Sequence, residues 1–531
     1  SHIPLPGAIY DGRRNSFGIE LGDRRELTRL TSNMQSSTAL VDAVPLVPGL
    51  APKGEALTVF APHDPSLKVG SVVFAKPADI EPAMEAALKG FKTWSRTSAE
   101  ARAVILERAA DKLEADCDRL LALLAREGGK TIEDGISEVR EATDFLRYYA
   151  NRSREMFGAP TAMPGPTGED NRLGWRGRGV FACIAPWNFP LAIFLGQVTA
   201  ALAAGNAVIA KPAEQTPLIA YEAIRILHDA GVPKDALIFL PGEGDVGAAL
   251  TKHPKIGGVA FTGSTQTAQA INRTLAAKDG PIVPLIAETG GLNAMIVDGT
   301  ALPEQVADDV VMSAFRSAGQ RCSALRLLFV QDDVADRMLE MIEGAARELV
   351  LGDPMLASTD IGPVIDQEQQ RMLTEHVEIM RKTQKVRFQG EVPAEGTFFA
   401  PTIVDLSNAE ALDREIFGPV LHVVRWKAKD LEKVLDKIEA TGFGLTLGVH
   451  TRIEDLVRKV VDRLDTGNVY VNRNIIGAVV GTQPFGGSGL SGTGFKAGGP
   501  NYLTRFALEQ VVSINTAASG GNASLIAMGD G

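Results

Sequence analysis

Short apolar runs that alternate with longer amphipathic stretches are the feature that most constrains how this chain can fold. Each run has four to six residues without Lys, Arg, Asp or Glu, and the runs are 179–184, 206–210, 236–240, 258–261, 294–297, 327–330, 420–424 and 467–471. Strands that are apolar along their whole length are covered on both faces, as in parallel sheets with helices on each side. The sequence therefore predicts an α/β fold with two doubly wound, Rossmann-like domains in tandem.

The segments that precede these runs have different patterns. Residues 1–34 are polar and show no strong periodicity, which predicts an arm or linker. From 77 to 152, apolar and charged positions recur at helical spacing with interruptions at 92–94 and 128–129, which predicts three helices. Because the chain begins with Ser-His and not with Met, we expect it to be cut from a longer protein.

Composition makes several kinds of partner and site improbable. The net charge of −11, from 54 basic and 65 acidic residues, disfavours nucleic acid and anionic membrane surfaces as partners. The three cysteines, Cys117, Cys183 and Cys322, are odd in number and far apart. This spacing argues against a disulfide framework and a thiolate metal site, and it fits a reducing cytoplasm.

One long uncharged stretch, 179–210, has the length of a membrane span. Pro186 and Pro190 interrupt it and leave only 191–204 as a continuous apolar segment. We therefore expect a buried helix between two strands and no membrane span.

Two motifs follow apolar runs, at the sheet edge where open α/β proteins bind ligands. Gly263 and Ser264 lie where a strand gives way to a helix, so that backbone N–H groups and the helix dipole favour a phosphate there. Lys211 could donate to ribose or phosphate, and the charge of Glu214 would repel a 2′-phosphate and favour NAD over NADP. An ordinary turn and a solvated Lys–Glu pair are the alternatives.

Three side chains are candidates for covalent chemistry. Cys322 stands among small residues at a predicted turn into a helix, where unpaired N–H groups would favour the thiolate. Asn188 lies in a Pro-flanked turn that would aim its amide at a developing oxyanion. Glu288 ends an apolar run beside two glycines, where its carboxylate would activate water. The alternatives are a buried core cysteine, an Asn that bonds its own backbone and a solvated Glu.

Together these motifs resemble those of the aldehyde dehydrogenase superfamily. The matching runs, in the family's order, are 186–190, 211–214, 261–265, 288–291, 319–322, 415–419 and 484–487. The likeness extends from about residue 35 to the C-terminus and implies a domain division. The implied parts are an arm at 1–34, a NAD-binding domain at 35–158 and 179–289, a catalytic domain at 290–497, an oligomerisation hairpin at 159–178 and 498–517, and a tail at 518–531.

A narrower resemblance concerns three further segments. The runs 164–171, 475–481 and 496–500 look like those of L-glutamate γ-semialdehyde dehydrogenases. The arm and the tail resemble the C-terminal half of bifunctional proline utilization A flavoproteins, whose proline dehydrogenase half would be absent from this chain. Ala268 and Thr289 depart from the common superfamily pattern, but neither replaces a reacting group.

The resemblance implies a mechanism and a set of contacts. Cys322 would attack the aldehyde carbon of glutamate γ-semialdehyde, Asn188 and the Cys322 N–H would hold the oxyanion, and Glu288 would activate the water that hydrolyses the thioester. The implied NAD contacts are Ile184, Pro186, Trp187, Lys211, Glu214, Gly263, Ser264, Glu415 and Phe417. The implied substrate contacts are Phe189, Arg321, Ser323, Gly477, Ala478 and Phe485, with Ser323 and 477–478 on the α-carboxylate and the two phenylalanines around the aliphatic chain.

The resemblance also implies a homodimer, because an isolated hairpin is marginally stable in water and should pair with another subunit. Four alternatives remain open. They are an aldehyde dehydrogenase of different specificity, an enzyme that transfers the acyl group to coenzyme A, a catalytically silent scaffold, and a cofactor-free thiol hydrolase. Glu288 disfavours coenzyme A transfer, since that reaction needs no hydrolytic base. A hydrolase would need a histidine near Cys322, and the nearest in sequence are His253 and His376.

Overall fold

The computed structural model describes residues 4–516 and 518. The chain first forms a small sheet, a layer of helices and a hairpin. These elements are α1 (Arg24–Ser36), β1 (Val41–Ala43), β2 (Leu57–Ala61), β3 (Asp64–Val72), α2 (Ile80–Trp94), α3 (Ala99–Ala115), α4 (Cys117–Gly128), α5 (Ile132–Phe157), β4 (Thr161–Met163) and β5 (Glu169–Gly177).

The first series of apolar runs forms a five-stranded parallel sheet in the order β10-β9-β6-β7-β8. Its elements are β6 (Val180–Ile184), α6 (Ala192–Ala203), β7 (Ala207–Lys211), α7 (Pro217–Ala230), β8 (Leu237–Phe239), α8 (Gly244–Lys252), β9 (Ile256–Thr262), α9 (Thr265–Ala276) and β10 (Leu285–Glu288). Alternate residues of β6 pack into separate apolar clusters, with Phe181 and Cys183 in one and Val180 and Ala182 in the other. Both faces of the sheet are therefore covered.

The second series forms a seven-stranded sheet in the order β13-β14-β15-β12-β11-β17-β18, in which only the β13–β14 pair is antiparallel. The elements from here on are β11 (Ala294–Val297), α10 (Pro303–Phe315), β12 (Leu327–Gln331), α11 (Asp332–Arg347), α12 (Gln367–Thr383), β13 (Lys385–Gln389), β14 (Thr402–Asp405), β15 (Val420–Trp426), α13 (Leu431–Ala440), β16 (Phe443–Gly444), β17 (Thr446–His450), α14 (Glu454–Arg463), β18 (Asn468–Val471), β19 (Ser488–Gly489) and β20 (Ala507–Asn515). The prediction of an α/β fold with two parallel sheets is confirmed.

The third sheet combines β4, β5 and β20. β20 pairs antiparallel with β5 along nine residues, from Ala507 opposite Gly177 to Asn515 opposite Glu169. Val511, Val512 and Ile514 on β20 are exposed. The segments 159–178 and 498–517 thus form three strands where a hairpin was expected, and their role in association stays a prediction, as does the domain division. The predicted tail lies outside the described residues except for Ala518.

One expectation for the N-terminal part is wrong. Four helices, not three, lie between 77 and 157, because the chain leaves helical geometry at Asp116, which no Gly or Pro marks. The predicted arm contains helix α1, whose first turn is capped by the Asp23 carboxylate and which buries Leu30 and Met34. The apolar segment 191–204 forms the buried helix α6, and no helix in 4–516 has the length and apolar character to cross a membrane.

Candidate active site

A cavity of about 330 Å³ brings the predicted nucleophile, base and substrate contacts together. Cys322 and Glu288 both line it. So do all the predicted substrate contacts: Phe189, Arg321, Ser323, Gly477, Ala478 and Phe485. These residues come from segments up to about 300 positions apart in the chain, so the fold alone assembles the site.

Cys322 lies in a turn that leads into strand β12, so the predicted turn into a helix is wrong. Its side chain is partly accessible, and the sulfur accepts a hydrogen bond from the Ser323 N–H. Burial, with smaller contributions from Glu415 and Glu288, raises the pKa of Cys322 to about 12. No helix dipole acts at this turn to offset the burial, so the surroundings of the sulfur favour the thiol over the thiolate.

The backbone before Cys322 is in an unfavourable conformation. Ser317 and Ala318 have φ values of 55° and 53°, and Gly319 follows at 64°. A left-handed conformation costs a residue other than glycine about 1–2 kcal/mol, so the surrounding contacts must hold this turn in place.

Asp134, at the start of α5, supplies those contacts. Its carboxylate accepts hydrogen bonds from Ser317 Oγ at 2.7 Å, Arg316 Nε at 2.7 Å and Arg321 Nη2 at 2.8 Å. Burial would raise the pKa of Asp134, but the charges of Arg321, Arg316 and Lys130 outweigh it and hold this pKa well below the usual value. A buried carboxylate thus fixes the segment that carries the nucleophile.

Asn188 follows strand β6 and lies beside the turn that carries Cys322. Its Nδ2 donates to the main-chain carbonyl of Gln320 at 3.0 Å, and the main-chain carbonyl of Asn188 accepts a hydrogen bond from Lys130. The amide nitrogen carries two hydrogens, so one remains for a second acceptor. Asn188 is therefore next to Cys322 in space, although it does not line the cavity itself.

Glu288 ends strand β10. One carboxylate oxygen, Oε2, accepts from the Gly487 N–H at 2.9 Å, while Oε1 is buried without a hydrogen-bond partner in the described part of the chain. Burial raises the pKa of Glu288 to about 8, against the opposing influence of that N–H and of Lys496. A carboxyl group with this pKa gains and loses a proton near neutral pH, as a general base must.

Three charged residues of the cavity were not expected from the sequence, namely Glu141, Arg473 and Arg316, the last of which bonds to Asp134. Glu141 lies on α5, and burial with the charge of Glu138 raises its pKa to about 7. Arg473 places its guanidinium against Gly477, where a Cβ would lie 2.8 Å from Nη2. The spacing of Asp134, Glu138 and Glu141 on one helix was a signal, because acidic residues three or four positions apart share one face.

All the predicted cofactor residues except Glu415 and Phe417 lie at or just after the ends of three adjacent strands, β9, β6 and β7. Ile184 ends β6, and Pro186 and Trp187 follow it. At the end of β7, Lys211 is buried, and this burial lowers its pKa. Its Nζ lies 4.0 Å from Glu214.

Strand β9 leads to a helix N-terminus. Ser264 caps helix α9 by accepting from the Thr267 N–H at 3.2 Å, and Gly263 precedes it in the turn. Neighbouring parallel strands end on the same side of the sheet, so these groups and those after β6 and β7 lie on that side. An ammonium group and a helix N-terminus there suit the phosphates of a nucleotide.

Glu415 and Phe417 come from the loop before β15. Phe417 makes an edge contact with Trp187, with ring centroids 5.5 Å apart. Glu415 packs against Gly290, where a Cβ would lie 1.7 Å from Oε2, so the close approach requires glycine. Burial raises the pKa of Glu415 to about 7, and its buried Oε1 has no hydrogen-bond partner within the described residues. An unsatisfied acceptor of this kind fits the hydroxyl groups of a ribose.

None of the histidines within residues 4–516 lines the cavity. His253 contacts Glu81 at 3.0 Å, and His376 contacts His422 at 2.9 Å, both away from Cys322. This arrangement disfavours the cofactor-free thiol hydrolase, which needs a histidine partner for its cysteine. The described residues also contain no cluster of three or more His, Cys, Asp or Glu side chains that could hold a metal ion.

The Aldehyde dehydrogenase family model matches residues 50–512. The chain belongs to the aldehyde dehydrogenase family. The superfamily resemblance seen in the sequence motifs is therefore confirmed. This aldehyde dehydrogenase is also 48% identical over 517 residues to the bifunctional protein PutA of Klebsiella aerogenes, an alignment that covers 95% of this chain and 38% of that protein.

Solved structures give the same picture. A crystal structure of bifunctional proline utilization A (PutA) has a TM-score of 0.90 and 58% identity, over 98% of this chain and 50% of that one. A 1-pyrroline-5-carboxylate dehydrogenase from Thermus with bound NAD has a TM-score of 0.90 and 35% identity, over 94% of this chain and 99% of that one. The chain thus spans about half or less of the length of these two PutA proteins and nearly all of the Thermus enzyme. The predicted aldehyde dehydrogenase fold is confirmed.

Proposed function

We propose that this aldehyde dehydrogenase oxidises L-glutamate γ-semialdehyde to L-glutamate with NAD, as a step of proline catabolism. One observation carries the proposal: the cavity that holds Cys322 and Glu288 also presents Arg473 and Glu141. A guanidinium and a carboxylate complement the α-carboxylate and α-ammonium of an amino acid, whereas a plain aldehyde offers neither group. The printed names of its relatives, bifunctional PutA and 1-pyrroline-5-carboxylate dehydrogenase, support the same substrate.

The reaction begins at Cys322. The thiol proton passes to water, and the sulfur forms a bond with the aldehyde carbon, whose oxygen takes up the negative charge. The free amide hydrogen of Asn188 and the Cys322 backbone N–H are the donors we assign to that oxygen. Each such donor lowers the barrier because it is fixed before charge develops.

Lys211 and the N-terminus of α9 at Ser264 would hold the cofactor phosphates, Glu415 a ribose hydroxyl, and Phe417 the nicotinamide ring. NAD, when bound, takes up the hydrogen and the electron pair that the substrate gives up. The carbon on Cys322 is then a thioester. Exposed Glu214 next to Lys211 supports a preference for NAD over NADP, because its charge repels a 2′-phosphate.

Hydrolysis of the thioester requires Glu288. Its carboxylate takes a proton from water, the water oxygen bonds to the acyl carbon, and the carbon–sulfur bond breaks. Cys322 recovers a proton and glutamate leaves. Because the pKa of Glu288 is about 8, a modest change in its surroundings changes the fraction of the carboxyl group that is ionised and able to act as a base.

Substrate selectivity follows from the remaining cavity walls. The Ser323 hydroxyl, the backbone N–H groups of 477–478 and Arg473 would hold the α-carboxylate. Glu141 would hold the α-ammonium, and the rings of Phe189 and Phe485 would bracket the methylene chain. Lys130 lies 4.1 Å from the Phe189 ring centroid and Arg321 lies 5.1 Å from it, so two cations fix that wall.

The direct test compares substrates on the same enzyme preparation. NADH formation is measured with glutamate γ-semialdehyde and with pentanal, which has the same chain length but no charged groups. We expect kcat/KM to be at least a hundredfold higher for the semialdehyde, since two lost charge-assisted contacts cost about 3–6 kcal/mol. Equal values for the two aldehydes would refute the substrate assignment. Thermal stabilisation by NAD with no NADH from any aldehyde would favour a silent scaffold.

We further propose a homodimer formed through the sheet of β4, β5 and β20, supported by the exposed apolar side chains of β20. We assign the domain division predicted from the family to this chain, and we infer that a proline dehydrogenase region accompanies it in the complete protein, as in its PutA relatives. The unpaired state of Cys117, Cys183 and Cys322 supports a reducing, cytoplasmic location.

A further inference from the structure

Lys496 holds its ammonium group in an unusual setting. Its Nζ donates to the carbonyl of Gly467 at 2.8 Å, to the carbonyl of Gly486 and to Asn468 Oδ1 at 3.4 Å. All three acceptors are neutral, being two backbone carbonyls and one side-chain amide oxygen. A cation with three neutral acceptors keeps its charge available to act on a group farther away.

That group is Glu288, and a single peptide unit joins the two. The carbonyl of Gly486 accepts from Lys496, and the N–H of the same amide, which belongs to Gly487, donates to Glu288 Oε2 at 2.9 Å. A cation at the oxygen end of an amide polarises it and strengthens the hydrogen bond made by its N–H. The contact of Glu288 with Gly487 is thus stronger when Lys496 is charged.

Close packing fixes this arrangement. A Cβ at Gly486 would lie 2.9 Å from Glu288 Oε1, so only glycine lets the peptide approach the carboxylate this closely. The other titratable groups that interact with Glu288 are Cys322 and Tyr502, and burial raises the pKa of both. Both are neutral at the pH of catalysis, which leaves Lys496 as the cation that favours ionised Glu288.

We propose that Lys496 is a positioning residue for hydrolysis of the thioester, which holds Glu288 ionised and oriented through the Gly486–Gly487 peptide. This inference rests on the proposed function, because it assigns Lys496 to the hydrolytic half of that reaction. Cys322 and the oxidation step do not depend on it. Loss of the lysine charge should therefore slow hydrolysis and spare the first NADH.

The experiment compares Lys496→Met, which removes the charge, with Lys496→Arg, which keeps it, and with Lys382→Met, an exposed control. Stopped-flow absorbance gives the NADH burst and the steady-state kcat between pH 6.5 and 9.5. A nearby charge shifts a carboxyl pKa by about 1–3 units. We expect Lys496→Met to keep a full burst, to lose about tenfold or more in kcat at pH 7, and to recover as the pH rises.

A merely structural lysine would lower kcat by the same factor at every pH. That result would overturn the proposal. The proposal would also fail if kcat of Lys496→Met increased over the same pH range as kcat of the wild type. In Lys496→Arg, kcat should increase over the same pH range as in the wild type, even if the absolute rate falls. If this increase were displaced to higher pH as in Lys496→Met, the result would also count against the role of charge. Lys382→Met should match the wild type throughout.

A second substrate separates this proposal from the proposed function. p-Nitrophenyl acetate can acylate a thiol without NAD, with release of p-nitrophenol, and the acetyl group is then hydrolysed. The displaced pH limb of Lys496→Met should appear in steady-state ester turnover as well. If the wild type formed no NADH from any aldehyde, the proposed function would fail. The pH dependence of ester turnover would still test the role of Lys496.

Discussion

Replacement of Glu141 by Gln tests how the cavity selects its substrate. The change keeps the size of the side chain and removes the charge that we assign to the α-ammonium group. A hydrogen bond between charged groups contributes about 1.5–3 kcal/mol, which corresponds to a loss of about 10- to 150-fold in kcat/KM for glutamate γ-semialdehyde. Pentanal has no ammonium group, so its kcat/KM should change less than about threefold.

The pH dependence of this effect follows from the burial of Glu141. Burial and the charge of Glu138 raise its pKa to about 7, so Glu141 is mostly neutral at pH 6 and mostly ionised at pH 8. The advantage of the wild type over Glu141→Gln should therefore grow as the pH rises through 7. The semialdehyde is in equilibrium with a cyclic form, and this equilibrium changes the concentration of free aldehyde with pH. Because both enzymes meet the same substrate solution, the effect cancels in the ratio of their kcat/KM values at each pH.

The assay records NADH formation at subsaturating semialdehyde and saturating NAD, between pH 6 and 8.5, for both enzymes. A ratio that stays near one, or one that does not change with pH, would refute the assignment of Glu141 to the ammonium group. An equal loss with pentanal would show that the substitution disturbs the nucleophile and not the recognition of the substrate.

Three other substitutions probe separate parts of the site. Arg473→Met should reduce kcat/KM for the semialdehyde about tenfold or more and leave pentanal unaffected, as measured by the same NADH assay. Asp134→Asn leaves the buried guanidinium of Arg321 without its carboxylate, and the resulting loss of about 3–5 kcal/mol should lower the urea midpoint at pH 7; an unchanged midpoint would contradict the role of Asp134. Glu415 has a pKa raised by burial to about 7, so KM for NAD should fall as the pH rises through 7, and Glu415→Gln should abolish that dependence.

The direction of the pKa shift of Asp134 sets the pH range over which this carboxylate contributes to the free energy of unfolding. The folded pKa of this carboxyl lies well below its unfolded value, because Arg321 and Arg316 favour the ionised form. The contribution is therefore complete above the unfolded pKa, near 4, and is lost as the pH falls towards the folded pKa. Asp134→Asn should lose its disadvantage only in strongly acidic solution.

The sequence was informative where burial covers both faces of an element. β6 is apolar from end to end and β7 is apolar up to its last residue, Lys211, because helices pack on each side of their sheet, and this pattern predicts parallel strands directly. Helix α6 was predictable for the same reason. The break at Asp116 was not, since the helical pattern of apolar residues continues through it without a Gly or Pro.

The chemistry of the site was only partly predictable. Cys322, Glu288 and Asn188 stand in recognisable motifs. In the sequence Arg473 looks like an ordinary solvated charge, and only its helical spacing from other acidic residues marks Glu141. The left-handed turn at Ser317 and Ala318 was also hidden, because neither residue is glycine and the carboxylate that holds Ser317 lies 183 positions earlier, at Asp134. Such features depend on contacts between distant segments, which no local pattern encodes.

The central claim is that Cys322 and Glu288 act in sequence on one aldehyde, and a single rapid-mixing measurement tests it most directly. Wild type, Cys322→Ser and Glu288→Gln are mixed separately with NAD and glutamate γ-semialdehyde, and NADH is followed from milliseconds to minutes. We predict no NADH from Cys322→Ser, and from Glu288→Gln a burst of about one NADH per subunit followed by very slow turnover. Wild-type turnover by either variant would contradict the account.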